Sequence, residues 1–468
     1  MDTKEILGYA AGSIGSAVLA VIILPLLSWY FPADDIGRIV LMQTAAGLTV
    51  SVLCLGLDQA YVREYYAAAD KDTLFKTLFL PPLLSAAAIA ALLLSRPSLP
   101  SEILFSLDDA AAGIGLVLFE LSFLPIRFLL LVLRMEGRAL AFSSAQLVSK
   151  LAILLLLPLT VGLLHFPANT AVLTAVYALA NLAAAAFLLF QNRCRLKAVR
   201  RAPFSSAVLH RGLRYGIPIA LSSIAYWGLA SADRLFLKKY AGLEQLGVYS
   251  MGISFGGAAL LFQSIFSTVW TPYIFRAIEA NTPPARLSAT AESAAAVCLT
   301  GIFSPLASLL LPENYAAVRF IVVSCMLPPL FCTLVEISGI GLNVVRKTRP
   351  IALATLGALA ANLLLLGLAV PSGGARGAAV ACAASFWLFF VFKTESSCRL
   401  WQPLKRLPLY THTLLCLTSS AAYTCFGTPA NYPLFAGVWA VYLAGCILRH
   451  WKDLHKLFHY LKKQGFPL

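Results

Sequence analysis

Apolar residues run along this chain in long blocks divided by short polar breaks. A window of about 19 residues marks fourteen blocks, at 6–31, 38–61, 74–95, 110–133, 139–164, 168–190, 212–237, 246–274, 287–311, 315–342, 350–370, 376–398, 409–426 and 433–449. A helix rising about 1.5 Å per residue needs about 20 apolar residues to cross the hydrocarbon of a bilayer. Isolated strands cannot satisfy their backbone in lipid, so every block is predicted to be a helix. The last two blocks are short, and a single re-entrant pair is the alternative there. The first block is too long for the core of a signal peptide and has no small-residue cleavage site, so a retained helix is expected.

Composition agrees with this pattern. Of 468 residues, 59% are hydrophobic and only 12% charged, against about 25% charged in soluble domains, and the mean hydropathy is +0.80. The formal net charge of +15 would suggest nucleic acid in a soluble chain. Here the bases fall in the short breaks, where they act as orientation signals and contacts to anionic lipid. With both termini in the cytoplasm, about 27 of the 36 Lys and Arg lie on the inner side and about six outside: Arg38, Arg96, Lys238, Lys239, Arg319 and Arg376. The ten cysteines show no CxxC pair, so neither disulfide nor metal is invoked. No Walker loop and no nucleophile-and-base constellation is present, so an enzyme is not expected and no cofactor is implied.

The longest inner break, 191–210, carries Arg193, Arg195, Lys197, Arg200 and Arg201 and follows six blocks; six more precede Leu400. An even number per half lets both halves enter the membrane in the same direction, related by a twofold along its normal. Asp34-Asp35-Ile36-Gly37 and Glu244-Gln245-Leu246-Gly247 repeat 210 residues apart, as do Tyr30 and Tyr240. The expected organisation is a six-helix lobe over 1–192, a basic cytoplasmic linker over 193–210, a second six-helix lobe over 211–400 around a central cavity, and a helix pair with a basic amphipathic tail over 401–468. In that tail Trp451, Leu454, Phe458 and Leu461 recur at helical spacing among lysines. His455 and His459 are four apart, but no third ligand accompanies them.

Gly216, Pro218, Tyr226, Trp227, Ser231, Asp233, Arg234 and Gly247-Val248-Tyr249-Ser250 resemble the seventh and eighth helices of the polysaccharide-biosynthesis, or O-antigen-type, flippases. That family shares a superfamily with the multidrug and toxin extrusion transporters and the lipid II flippases. Gly341-Leu342-Asn343 with Arg346-Lys347, then Asn362, Pro371, Gly374 and Gly377-Ala378-Ala379-Val380-Ala381, is similar to its tenth-to-twelfth helices, except that Arg376 stands where the family has an apolar residue. The resemblance covers about residues 1 to 400. It implies export of a lipid-linked oligosaccharide across the inner membrane and says little about which glycan.

The candidate site residues are ionisable groups at membrane depth, which are costly there and usually face protein, water or ligand. Glu120 and Arg127 lie seven residues apart on the fourth block, nearly on one helical face, and Lys150 is near the middle of the fifth. They form either a self-neutralising pair that fixes helix packing or a cationic wall for a pyrophosphate, for which Arg offers a fork and Lys a mobile point charge. Asp233 and Arg234 fit a gate near the outer leaflet or an interfacial anchor. Asp58, with Arg63 and Glu64, flanks the inner end of the second block as a headgroup-level residue that lies somewhat deeper. Glu292 and Glu336 sit near helix ends where snorkelling makes charge inexpensive, and Pro25, Pro125, Pro218 and Pro305 can kink their helices. The expected function is a flippase carrying polyprenyl-pyrophosphate-linked oligosaccharide to the outer leaflet by alternating access. A cation-coupled multidrug antiporter, favoured by an acid such as Glu120, and a non-transporting scaffold for glycan-assembly enzymes are the alternatives.

Overall fold

In the computed structural model the described residues are 3–279, 288–345, 347, 349–401 and 406–463. They are almost wholly helical, with no strand among them. The helices are α1 (Thr3–Ser28), α2 (Ala33–Cys54), α3 (Leu57–Glu64), α4 (Lys71–Leu94), α5 (Leu99–Phe105), α6 (Ala110–Met135), α7 (Ala139–Leu157), α8 (Thr170–Gln191), α9 (Arg193–Arg201), α10 (Ser206–Tyr240), α11 (Gly242–Glu279), α12 (Ser288–Leu309), α13 (Val318–Ser338), α14 (Ile340–Val344), α15 (Arg349–Leu400), α16 (Arg406–Phe426) and α17 (Tyr432–Lys463). A π-helical turn, Pro158–Leu163, extends α7. Helix underlies each of the fourteen apolar blocks. Among the described residues, seven helices are long and apolar enough to cross a membrane: α2, α4, α6, α7 with its extension, α8, α13 and α15.

Several helix starts are written locally. The side chains of Asp70, Asp109 and Asn169 accept backbone N–H groups of the first turns of α4, α6 and α8, satisfying donors that a helix start leaves without partners. The Thr73 hydroxyl, together with backbone N–H groups, holds the exposed Asp70 carboxyl below its usual range. α15 turns back at Gly374 (φ 51°, ψ −131°). Its two arms lie side by side, and Ser385 donates to Asn362 at 3.1 Å.

The chain forms two compact units. The first comprises Met1–Lys238 with Gly242–Gly247, the second Lys239–Ala241 with Val248–Leu468. In the first unit α6 packs along α8, α1 along α7, and α7 along α8. Its core joins α3, α4 and α6 through Tyr61, Phe75 and Phe128, whose rings meet edge-on at 5.8 Å (Tyr61–Phe75) and 6.3 Å (Phe75–Phe128). The repeated turns also meet within this unit. A Cβ on Gly37 would strike the carbonyl oxygen of Leu243, and one on Gly247 would strike that of Ala33. Ala33 and Leu243 stand 210 residues apart like the glycines, so the two contacts are reciprocal in the repeat.

In the second unit α13 packs against α12 and α15, and α12 against α17. Tyr423 and Trp439 are buried edge-on at 5.0 Å, with Gly301 leaving room for the Trp439 ring. Polar side chains pair across helices here: Ser324 with Thr424 and Ser338 with Thr394, both at 2.6 Å. Hydroxyls left alone in an apolar interior would cost several kcal/mol.

The break between α8 and α10, expected as a linker, is helical from Arg193 to Arg201 and strapped to the first unit. The Lys76 ammonium donates to the carbonyls of Arg200 and Ala202 at 3.0 and 2.6 Å, and Val199 is buried. Arg195 pairs with Glu136 and, at 3.4 Å, with Asp72. Arg346 and the side chains of Glu292 and of the tail beyond 448, His455 and His459 included, lie outside the described residues.

Candidate functional site

A cavity of about 440 Å³ opens inside the first unit. Its walls are α2 and α3 (Gly47, Val50, Ser51, Gly56, Asp58, Gln59), α6 (Phe123, Ile126, Arg127, Leu130) and α10 (Ile219, Ala220, Ser223). The lining is mainly apolar with a few polar groups, the usual make-up of a site for a small ligand or a headgroup.

A break in one helix shapes it. α2 ends at Leu55 (φ 47°) and Gly56 (φ 73°), both left-handed, before α3 restarts at Leu57. Glycine takes that conformation freely, whereas leucine does so at a cost of about 1–3 kcal/mol. The break presses on α10: a Cβ on Gly56 would collide with the Gly216 carbonyl, and one on Gly216 with the Leu55 carbonyl at 2.6 Å. Only glycine fits either position without moving backbone. Restarting the helix there puts Asp58 in the first turn of α3, where the helix dipole favours an anion.

Asp58 is buried, with a side chain 10% exposed, and it faces Arg127 from α6. Nε and Nη2 of Arg127 both donate to Asp58 Oδ2, at 3.1 and 2.8 Å, and the Gln59 amide donates to the same oxygen at 2.9 Å. The Arg127 side chain remains 45% exposed. The expectation of a solvated headgroup-level Asp58 therefore gives way to a buried partner of Arg127. Hydropathy could not show it, because the helix break sits inside a continuous apolar run.

The remaining candidates lie off the cavity lining. Lys150 reaches from α7 to α1, where its ammonium donates to both the carbonyl and, at 2.6 Å, the hydroxyl of Ser16. Gly12 and Gly15 let α1 lie close on Ser143 and Leu147 of α7. Glu120 forms no ion pair among the described residues; its carboxylate oxygens are buried without a well-formed hydrogen bond, and Thr49 is the near polar neighbour. Asp233 is 2% exposed and caps the Arg234 backbone N–H at 2.9 Å. Arg234 itself donates to Thr44 of α2 at 3.2 Å, tying α10 to α2. The cavity thus gathers Asp58 and Arg127 and leaves Glu120, Lys150, Asp233 and Arg234 elsewhere in the same unit.

Sequence reasoning passed over Gln59, Ser51 and Ser223 on the cavity wall and a second ion pair. Asp35, 5% exposed, meets Arg38 at 2.6 Å, and Thr170 bonds to both. Asp35 stood out in sequence only as part of a repeat, and Arg38 only as an outer-side charge. Among the described residues no group of three or more His, Cys, Asp or Glu is placed to hold a metal.

No protein-family model and no curated protein sequence matches the chain. Solved structures do. The lipid II flippase MurJ in an inward closed conformation aligns with 95% of this chain and 99% of its own at a TM-score of 0.67 and 11% identity. An outward-facing multidrug resistance MATE transporter of the MOP superfamily aligns with 87% of this chain and 95% of its own, at 0.54 and 14%. A MOP superfamily transporter from Pyrococcus furiosus, described as having a binding pocket of reversed polarity, aligns over 87% and 96%, at 0.56 and 16%. At such identities the likeness is one of fold: this is a multi-span membrane protein with the fold of the MOP-superfamily transporters.

Proposed function

We propose that the chain is a transporter of this superfamily that carries a polyprenyl-pyrophosphate-linked oligosaccharide from the cytoplasmic to the outer leaflet of the cell inner membrane. The observation that carries this reading is the half-exposed side chain of Arg127, which lines a mostly apolar cavity. A guanidinium presents a planar fork matched to phosphate oxygens, and a low-dielectric wall strengthens that contact. The pyrophosphate and first sugars enter the cavity while the polyprenyl chain stays in lipid. The lysines and arginines of the short breaks set both termini in the cytoplasm. The resemblance at Gly216, Pro218, Asp233 and Arg234 supports the polysaccharide branch.

The test is a deletion strain. Loss of the chain leaves the lipid-linked precursor on the inner face, and Arg127→Gln fails to restore its export although the protein is present in the membrane. Export at the wild-type level with Arg127→Gln would remove Arg127 from the site. Glu120, whose carboxylate oxygens are buried with no ion-pair partner among the described residues, favours a second reading, a cation-coupled multidrug antiporter. That reading requires drug resistance to fall with Glu120→Gln while glycan export is unchanged. A scaffold for glycan-assembly enzymes would tolerate both substitutions.

A further inference from the structure

The cavity lining holds one cation, Arg127, and one carboxylate, Asp58, so its formal charge is zero. An anionic headgroup entering beside an intact pair would meet a carboxylate as well as a guanidinium. The two partners are not equally accessible: the Arg127 side chain is 45% exposed and that of Asp58 10%. The contact is also not the two-oxygen fork of a strong arginine–carboxylate pair, because Nε and Nη2 converge on the single oxygen Oδ2. Asp58 has local support without the arginine, from the Gln59 amide at 2.9 Å and from its place in the first turn of α3.

We propose that Asp58 is a resident counter-ion, standing on Arg127 where a substrate phosphate oxygen stands when the cavity is loaded, and that the phosphate displaces it. This rests on the reading of the cavity as a pyrophosphate site and adds how that site empties. An arginine left without a partner on a mostly apolar wall would be costly, and one bound only to pyrophosphate would release it slowly. Exchange between two anions keeps the guanidinium paired throughout. It also limits the ligand to one that brings an anionic group, as a pyrophosphate does, since uncharged sugars cannot dislodge a carboxylate.

The experiment measures binding of a short-chain polyprenyl pyrophosphate to the purified full chain in lipid nanodiscs. Inorganic pyrophosphate and the matching uncharged polyprenol serve as parallel arms. Asp58→Asn keeps the shape and the Gln59 contact but removes the competing charge. The expected result is binding about tenfold tighter than wild type, equivalent to a coupling of about 1.4 kcal/mol, with slower transport. Arg127→Gln loses the preference for pyrophosphate over polyprenol, and the double variant binds no tighter than Arg127→Gln alone. Unchanged or weaker binding in Asp58→Asn overturns the exchange and makes Asp58 a brace for the arginine. If wild type and Arg127→Gln alike show no preference for pyrophosphate, the functional reading fails and takes the exchange with it. Should Asp58→Asn not accumulate, infrared difference spectra of wild type on adding inorganic pyrophosphate decide the matter. A shifted carboxylate band that Arg127→Gln lacks supports displacement, and no carboxylate change overturns it.

Discussion

Arg127 and Lys150 sit on consecutive long helices of one unit, and in sequence they look alike: single bases inside apolar spans. In the fold they part. Arg127 meets a carboxylate beside a cavity and keeps its side chain 45% exposed, while Lys150 spends its ammonium on the backbone and hydroxyl of Ser16. Depth in a span therefore does not distinguish a cation that lines a cavity from a cation that holds two helices together; the partner does. A carboxylate can be exchanged for another anion. A carbonyl on a neighbouring helix can be satisfied only by a donor that stays.

The sharpest break of this comparison is a matched pair of substitutions read for transport. Losing a charge-assisted contact to phosphate costs about 1.5–3 kcal/mol, or about 10- to 100-fold. Arg127→Gln is expected to lower export by that factor with its membrane level unchanged. Lys150→Gln is expected to leave export within about twofold. Equal loss in the two, at equal protein level, would erase the distinction.

The cavity side is sharpened next at its wall. Gly56→Ala places a Cβ against the Gly216 carbonyl at φ 73°, so backbone of α10 or of the break must shift, at a cost of about 1–3 kcal/mol. The expected outcome is a lower unfolding temperature together with weaker pyrophosphate binding, because Gly56 and α10 both line the cavity. A variant that binds as wild type would show that the break does not set the site.

On the other side of the comparison, Lys150→Met tests the clamp. Interhelical hydrogen bonds within membranes are worth about 0.6 kcal/mol on average and at most about 1.7. The loss is expected near the upper end because the donor is charged and bonds Ser16 twice. Thermal unfolding in detergent reads it. Ser16→Ala is expected to cost less than Lys150→Met, since the backbone carbonyl of Ser16 remains as an acceptor.

How much of this was legible depends on whether a signal is local. Helix positions were, because apolar blocks of helical length leave few other structures in lipid. The repeat was too: Asp34 to Gly37 and Glu244 to Gly247 announced related turns, and the structure sets them back to back through Gly37 and Gly247. Pairing was not. Asp58 and Arg127 are 69 residues apart and Lys150 and Ser16 are 134 apart, and nothing in the pattern of apolar positions chooses among possible partners. The break at Leu55 and Gly56 stayed hidden because leucine and glycine do not interrupt hydropathy. The seam of Gly12, Gly15 and Ser16 was the one available hint that Lys150 had a helix to hold, since small residues let helix backbones approach closely.

Arg195 gives the comparison a third case, in the polar break after α8 with partly exposed acid partners, and the smallest expected effect. It lies on α9 with its side chain 15% exposed, paired with Glu136 and, at 3.4 Å, with Asp72, and its guanidinium stands 5.8 Å over the Tyr65 ring. Like Lys150 it ties elements together, but at the edge of the unit, where solvent and salt screen the attraction. Pairs of this kind contribute about 0.2–1 kcal/mol. Arg195→Gln is expected to lower the unfolding temperature slightly at low salt and not measurably at about 1 M salt, where the Debye length falls to about 3 Å. The loss in Lys150→Met, between two apolar helices, is expected to be the same at both. A salt-independent loss in Arg195→Gln would place its ion pairs in the same class as the buried clamp.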